Sequence, residues 1–174
     1  MVQAIQLAEL LAPLVIEQLY SSPYLRCVQT IGPFAETMSM KIEQRRGLHE
    51  REISKRLIED FYAVWCESWE DFDFALPGCE SNRQAQSRFL EAVRTVVRGS
   101  PYQTIGICAH GAVIGLLLHS IGNGVGREDA ERLTNPDVIR VVIDGEHWNW
   151  DREFQLPGLL ALTSRPDETP IDLD

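Results

Sequence analysis

The chain has 174 residues, of which 44% are hydrophobic, and this length and composition favour one domain with a single continuous core. Its 16 basic and 26 acidic side chains give a formal net charge of −10, and a field of that sign repels nucleic acid and anionic membrane surfaces. No apolar run has the length of a bilayer span, so we expect neither nucleic acid nor a membrane among the partners.

The first half of the chain predicts alternating helices and strands. Apolar residues recur at helical spacing almost from residue 1, at Ala4, Leu7, Ala8, Leu11 and Leu14. Residues 14–21 predict a strand, after which Ser21-Ser22-Pro23 is expected to start a helix with Pro23 at its first position. The alternation of apolar and polar residues over 38–43 predicts a second strand. Ser54 is expected to cap the next helix.

The second half continues the alternation and sets the fold class. The predicted elements are a helix over 80–98, a strand over 103–109, an apolar helix over 112–121, a short polar helix, and a strand pair over 138–150. Strands that alternate with helices predict an α/β fold, a three-layer sandwich with a mainly parallel sheet between helices.

Two residues stand where such sheets collect ligands, because a helix that follows a strand offers free N–H groups and a positive dipole end to an anion, and a loop carboxyl is a third candidate. Arg26 falls in the first turn of its helix and has forked donors that suit phosphate. His110 ends a strand just before Gly111. Glu50 lies in a loop near two cations and has the chemistry of a proton donor. Taken singly, each is also typical of a surface charge or a strand-end histidine.

In their order these segments resemble the histidine phosphatase superfamily, also called phosphoglycerate mutase-like. Its members carry Ser-Ser-Pro-x-x-Arg-x-x-Gln-Thr, a Leu-x-Glu loop, a Gly-Glu-Ser helix start and a strand that ends in His-Gly. The matching segments are Ser21 to Thr30, Leu48 to Glu50, Cys79 to Ser81 with Arg88 to Leu90, and Ala109 to Gly111. The resemblance implies that Arg26, Ser22 and His110 bind a phosphoryl group, and that Glu50 acts with His110 in catalysis as the proton donor.

The family's first strand ends in Arg-His-Gly and carries the histidine that accepts the phosphoryl group, and it has no counterpart here. The resemblance places it between strands 14–21 and 103–109, so we expect a gap in the sheet. We assign 1–152 to the domain and 153–174 to a tail that packs on or into the sheet. The tail's apolar run, followed by Arg165-x-x-Glu168-Thr169, has the outline of the absent strand, so the tail either fills the gap or lies on the surface.

These observations lead to alternative functions. The first is a phosphomonoester hydrolase, or a phosphoglycerate mutase-like protein, that is N-terminally incomplete. The second is a non-catalytic pseudo-phosphatase that binds a phosphorylated ligand. In either case we expect a phosphorylated small molecule as partner, no cofactor and no metal; a homodimer that shares an element across an open sheet edge is a third hypothesis. Four cysteines without CxxC spacing predict reduced thiols in the cytoplasm.

Overall fold

The structure is a computed structural model, which describes residues 2–122 and 124–162. The helices are α1 Val2–Leu11, α2 Leu25–Thr37, α3 Phe61–Glu70, α4 Asn82–Gly99, α5 Gly111–Ile121 and α6 Arg127–Glu131. The strands are β1 Gln18–Ser21, β2 Ile42–Gln44, β3 Ile105–Cys108, β4 Val141–Asp144 and β5 His147–Trp150. Two 3₁₀ turns lie at Arg46–Leu48 and Leu159–Ala161. Within the described ranges, no helix combines the length and the apolar content that crossing a membrane requires.

Strand β1 is the middle strand of a parallel three-stranded sheet with the order β2-β1-β3. Leu19 aligns with Ile42 on one side and with Gly106 on the other. The ladder extends past the end of β1, where the Ser22 N–H donates to the Cys108 carbonyl at 2.8 Å. The predicted gap between these two strands is therefore wrong, because their backbone groups pair with each other. Strands β4 and β5 form a separate antiparallel pair.

The tail does not enter the sheet over the residues that the structure describes. Leu159–Ala161 is a 3₁₀ turn, and the buried Leu159 packs into the core cluster with residues of α1 and α2. The Gln3 side chain donates to the Leu162 carbonyl at 2.8 Å. The permuted-strand hypothesis is wrong for 159–162, because β1 and β3 already pair and Leu159 finds its burial against helices. Arg165, Glu168 and Thr169 lie outside the described residues.

Helices cover both faces of the sheet, which confirms the predicted three-layer α/β fold. On one face, α1 and α2 bury the cluster Leu7, Ala8, Leu11, Leu19, Ile31, Phe34, Ala35 and Leu159. On the other, α4 and α5 bury the cluster Tyr20, Leu48, Ala85, Phe89, Val93, Val96, Val113, Leu116 and Leu117. Leu19 and Tyr20 are neighbours in β1 that face opposite clusters, as side chains of a strand alternate between faces. Both faces of the strand are therefore buried.

Three element starts differ from their prediction. Helix α2 begins at Leu25 rather than Pro23, because Tyr24 keeps extended backbone angles and is the N-cap. Strand β2 begins at Ile42, since Met38 ends α2 and a positive φ of 54° at Ser39 turns the chain. Helix α3 begins at Phe61, where the Asp60 carboxylate accepts from the N–H of the third helical residue.

Ser54 closes a local turn instead of capping a helix. Its hydroxyl accepts from the Arg56 N–H at 3.1 Å and donates to the Arg56 carbonyl at 2.7 Å. Serine hydroxyls form such turns with the same ease as helix caps, so the residue type alone does not separate the two outcomes.

Candidate functional site

The carboxyl ends of β1 and β3 lie side by side and bring Ser22 and His110 into contact. His110 Nε2 lies 2.8 Å from Ser22 Oγ, and Arg26 Nε donates to His110 Nδ1 at 3.1 Å. Ser22 and His110 are buried, whereas Arg26 is exposed. Residues from two motifs more than 80 positions apart thus form one hydrogen-bonded group.

The hydrogen bonds fix the orientation of the His110 ring. Because Arg26 Nε–H donates to Nδ1, the ring proton belongs on Nε2, where it is donated to Ser22 Oγ. Ser22 Oγ also accepts from the Tyr24 N–H at 3.3 Å. Ser22 therefore positions His110 against the first turn of α2.

Arg26 keeps donor groups free for an anion. Its hydrogen bond within the described chain uses Nε, and the guanidinium carbon lies 4.9 Å from the Tyr24 ring centroid. The terminal amino groups stand on an exposed side chain beside His110. A planar guanidinium held this way can give a phosphate oxygen pair two parallel hydrogen bonds.

Glu50 reaches the same place from the loop after β2. Its carboxylate accepts from the Val113 N–H at 3.2 Å and the Ala112 N–H at 3.4 Å, in the first turn of α5. This helix starts directly after His110, and its unpaired N–H groups and dipole attract negative charge. The structure thus brings Arg26, Glu50, His110 and Ser22 together; the roles that the resemblance gives them remain predictions.

An ion pair between Arg88 of α4 and Glu80, which precedes that helix, holds the Glu50 loop. Arg88 donates to the carbonyls of Gly47 at 2.8 Å and His49 at 3.0 Å, and its Nε lies 2.7 Å from a Glu80 carboxylate oxygen. Burial acts to raise the pKa of Glu80, but hydrogen bonds from Arg88 and the Glu52 N–H outweigh it and leave that pKa below its ordinary value. The motif comparison includes both Glu80 and Arg88 but does not reveal this supporting role.

Arg51 is a buried support that the sequence does not reveal. It is 5% exposed, and its guanidinium donates to the Glu80 carbonyl at 3.0 Å, Ser68 Oγ at 2.9 Å and Asn82 Oδ1 at 2.5 Å. Burial lowers the pKa of this guanidinium from its usual value. It ties the loop to α3 and α4. From the sequence, an arginine in a charged loop is expected at the surface. The burial of Arg51 cannot be predicted because its three partners are distant in sequence.

Two thiols also lie at the site. Cys27 Sγ is 3.4 Å from His110 Nε2, and Cys108 Sγ donates to the Cys27 carbonyl at 3.4 Å. A hydrogen bond from the Cys108 thiol, and then His110 and Arg26, lower the pKa of Cys27 to about 5 against the opposing effect of burial. The sequence indicates apolar packing for Cys108, and its contact with Cys27 depends on how α2 lies on β3.

Two other histidines differ in how near they lie to this hydrogen-bonded group. His49 lies near it, since the Tyr24 ring centroid is 6.3 Å from the His49 ring and 5.2 Å from the His110 ring. His119 packs against Trp69 and Phe72 instead. Among the described residues, no three or more His, Cys, Asp or Glu side chains cluster in a way that would hold a metal ion.

A cavity of about 270 Å³ lies away from the site, between α4, α5 and β5. Arg94, Ser120 and His147 are among its lining residues. Ser120 is near the last residue of α5, whereas Glu50 binds the N–H groups of its first turn, and the rise of the helix separates the two by roughly 11 Å. The site itself is formed at strand ends rather than in this cavity.

Comparison with known proteins gives one family. A model described as the histidine phosphatase superfamily (branch 1) matches residues 1–155. A search of curated proteins gave no match. Among solved structures, a mycobacterial glucosyl-3-phosphoglycerate phosphatase in complex with VO3 superposes with a TM-score of 0.74 and 21% identity, over 86% of this chain and 81% of that chain.

Two further solved structures match over a similar share of the chain. YhfR of Bacillus stearothermophilus gives a TM-score of 0.68 and 19% identity over 85% of this chain and 78% of its own. The α-ribazole phosphatase of Shigella flexneri gives 0.64 and 19% over 86% and 78%. At these identities the likeness establishes the fold, which agrees with the predicted phosphoglycerate mutase-like architecture.

Proposed function

The chain belongs to the histidine phosphatase superfamily, and on that premise we propose that it binds a phosphorylated small molecule and hydrolyses its phosphomonoester. The observation that carries the proposal is the meeting of Arg26, His110 and Glu50 at the carboxyl ends of β1 and β3. Three motifs far apart in sequence supply a cation, an imidazole and a carboxyl group around one helix start. Such a set suits a phosphate ester and its leaving oxygen.

In this proposal the phosphoryl group lies between Arg26 and the start of α5. The free amino groups of Arg26 bind two of its oxygens, and His110 donates to a third once its Nε2–H turns from Ser22. The positive end of the α5 dipole adds to the attraction. Arg26, Ser22 and His110 are then the phosphate-binding residues.

Glu50 supplies the proton that the leaving oxygen needs. Its carboxyl group already lies at the α5 start, beside the position proposed for the phosphoryl group. A carboxylic acid within hydrogen-bond reach of the leaving oxygen protonates it as the phosphorus–oxygen bond breaks. Glu50 and His110 are accordingly the catalytic residues.

In this family the phosphoryl group passes to a histidine on a strand that ends in Arg-His-Gly, and the 174 residues hold no counterpart of that motif. Transfer to a histidine splits one displacement into two easier ones. We propose that full activity uses a histidine supplied from upstream sequence. The comparisons give no support to the alternative of a pseudo-phosphatase.

The substrate class follows from charge and from related proteins. Two of the matched proteins are named glucosyl-3-phosphoglycerate phosphatase and α-ribazole phosphatase, names that indicate phosphorylated small molecules as their substrates. A chain of formal charge −10 favours a small ester over a polyanion such as nucleic acid. We also place the protein in the cytoplasm, a proposal supported by its four free cysteines.

Calorimetric titration with inorganic phosphate and with orthovanadate tests the binding step. Replacing Arg26 by Gln should weaken phosphate binding roughly 10- to 100-fold, since charge-assisted hydrogen bonds contribute about 1.5–3 kcal/mol. Arg98→Gln is the matched control, because that exposed arginine lies in the last turn of α4. Equal affinity in the Arg26 and Arg98 variants would overturn the proposal.

Turnover is measured with a generic phosphomonoester, on this chain and on a version extended upstream. The proposal expects the extended chain to hydrolyse the ester much faster, and His110→Ala to abolish that gain. Turnover that survives the His110 substitution would contradict the assigned chemistry.

A further inference from the structure

Cys27 and Cys108 meet beside His110 although they come from different elements. Cys27 is the third residue of α2, and Cys108 is the last residue of β3. Cys27 Sγ lies 3.4 Å from the Ala109 carbonyl and 3.4 Å from His110 Nε2, and Cys108 Sγ lies 3.4 Å from the Cys27 carbonyl. The Cys27 thiol therefore borders His110, which is assigned to phosphate binding, and the Cys108 thiol lies against Cys27.

The two sulfurs differ in charge. The hydrogen bond from Cys108, together with His110 and Arg26, holds the pKa of Cys27 at about 5, so its thiolate predominates at neutral pH. The same hydrogen bond to the thiolate, followed by burial, raises the pKa of Cys108, which stays a thiol. A thiolate reacts with oxidants far faster than a thiol does, and a neighbouring thiol can resolve the product.

We propose that Cys27 and Cys108 form a peroxide-reactive thiol pair, and that their oxidation to a disulfide inactivates the site around His110. The contacts that carry this inference are the approach of Cys27 Sγ to His110 Nε2, its contact with the carbonyl of Ala109, which follows Cys108, and the contact of Cys108 Sγ with the Cys27 carbonyl. Cys27 is 4% exposed, which selects a small oxidant such as hydrogen peroxide.

The chemistry has two balanced steps. The Cys27 sulfur attacks one oxygen of hydrogen peroxide, the O–O bond breaks, hydroxide leaves, and Cys27 becomes a sulfenic acid. The Cys108 sulfur then attacks the Cys27 sulfur, the S–O bond breaks, and the thiol proton leaves with the hydroxide as water. The thiolate and the thiol lose two electrons in total, and one peroxide gives one water and one hydroxide, which takes a proton from solvent to become the second water.

Oxidation and phosphate binding should oppose each other, and this part rests on the proposed function. A disulfide would join the first turn of α2, which carries Arg26, to the end of β3, and it would move the Cys27 sulfur relative to His110. Both phosphate-binding groups would then be displaced. Conversely, a phosphate dianion beside Cys27 disfavours its thiolate and should slow oxidation.

The test treats the whole chain with hydrogen peroxide and follows each cysteine by peptide mass spectrometry. We expect a Cys27–Cys108 linked peptide to form at least tenfold faster than oxidation of Cys66 or Cys79, and phosphate to slow its formation. Cys66 and Cys79 are half-buried internal references. Cys108→Ser should leave a Cys27 sulfenic acid that dimedone traps, and Cys27→Ser should leave Cys108 reduced.

Circular dichroism confirms that each variant folds, with Cys27→Ala and Cys108→Ala as second variants at these positions. Oxidation of Cys66 or Cys79 as fast as Cys27, or oxidation of Cys108 that is unchanged in Cys27→Ser, would overturn the thiol pair. A linked peptide in a chain that binds no phosphate would refute the proposed function and leave the thiol pair standing. Phosphate binding that requires Arg26, with no linked peptide, would refute the thiol pair alone.

Discussion

At the level of single residues, Glu80 connects the Glu50 loop to α4 through Glu52 and Arg88. Its carboxylate receives two donors from Arg88, and the side chains of this ion pair are 21% and 22% exposed. Partial burial makes such a pair worth more than a surface ion pair, while its desolvation limits the gain. Because Arg88 also binds the carbonyls of the Glu50 loop, loss of Glu80 should loosen that loop.

Replacing Glu80 by Gln should lower the free energy of unfolding at pH 7 by about 1–2 kcal/mol. The pKa of Glu80 is lower in the folded chain than its ordinary 4.5, so its stabilisation is full above that value and is lost as the pH falls through the folded pKa. Urea unfolding from pH 7 down to about pH 3 should show the two proteins converging in acid. A stability difference that stays constant across this range would contradict the ion-pair account.

Glu50 should affect turnover more than binding. In the upstream-extended chain, Glu50→Gln should reduce hydrolysis about 10²- to 10⁴-fold, the usual contribution of a general acid, while phosphate affinity changes little. Glu52→Gln, an exposed neighbour, is the matched control. Steady-state kinetics and calorimetry together separate the two effects. Equal turnover in the Glu50 and Glu52 variants would remove Glu50 from the reaction.

The sequence predicts the site residues better than it predicts the residues that pack around them and hold them in place. Arg26, Glu50 and His110 each end or begin a recognisable segment, and parallel strands bring such ends to one edge. Arg51 and Cys27 gave no comparable signal, since their importance depends on partners brought near by packing. Long-range hydrogen bonds of this kind leave no periodic pattern in the sequence.

At the level of elements, the Glu50 loop packs tightly on α4 at Gly47. A Cβ added there would lie 2.6 Å from Ala92 Cβ, closer than real side chains approach. Gly47→Ala should therefore destabilise the fold by about 1–3 kcal/mol and weaken the position of Glu50. Thermal unfolding and the phosphate titration measure both effects.

Gly32→Ala is the matched control for this substitution. Gly32 lies inside α2, and a Cβ there would meet nothing within 4 Å. Alanine should stabilise this helix by up to about 1 kcal/mol, because glycine has a lower helix propensity. If Gly47→Ala proved as stable as Gly32→Ala, the loop would not be packed on α4 as described.

The sequence predicts whether a segment is a helix or a strand more accurately than it predicts the residue at which that segment begins. The apolar spacing located α4, β3 and α5, and the helix expected after Ser54 corresponds to α3. The start of α3 was misplaced because Asp60, rather than Ser54, accepts the hydrogen bond from the helix N–H groups. Both residue types cap helices, so the residue type alone does not determine where α3 begins.

At the level of the whole molecule, the largest error of the sequence-based prediction concerns the order of the strands in the sheet. The motifs correctly predicted parallel strands and helices on both faces, yet the position of the absent strand was wrong because β1 and β3 pair directly. Strand order depends on backbone pairing, which motif spacing does not encode. In the described chain, β3 has one paired neighbour and leaves its other side as a sheet edge.

An open strand edge can pair with a second copy, and we propose a homodimer formed along β3. Sedimentation equilibrium at tens of micromolar should then give twice the chain mass of 19.7 kDa. Ile107→Lys places a charge on this half-buried strand and should shift the mass toward the monomer, whereas Val142→Lys, at an exposed position of β4, should not. A monomeric mass for the unaltered chain would exclude this dimer.

The most direct test of the account is a crystal structure of the chain with orthovanadate. We expect vanadate between the Arg26 guanidinium and the His110 imidazole, within hydrogen-bond reach of both, and with Glu50 at the start of α5 beside it. Vanadate bound elsewhere, or an unoccupied site at saturating concentration, would contradict the convergence of these residues on a phosphoryl group.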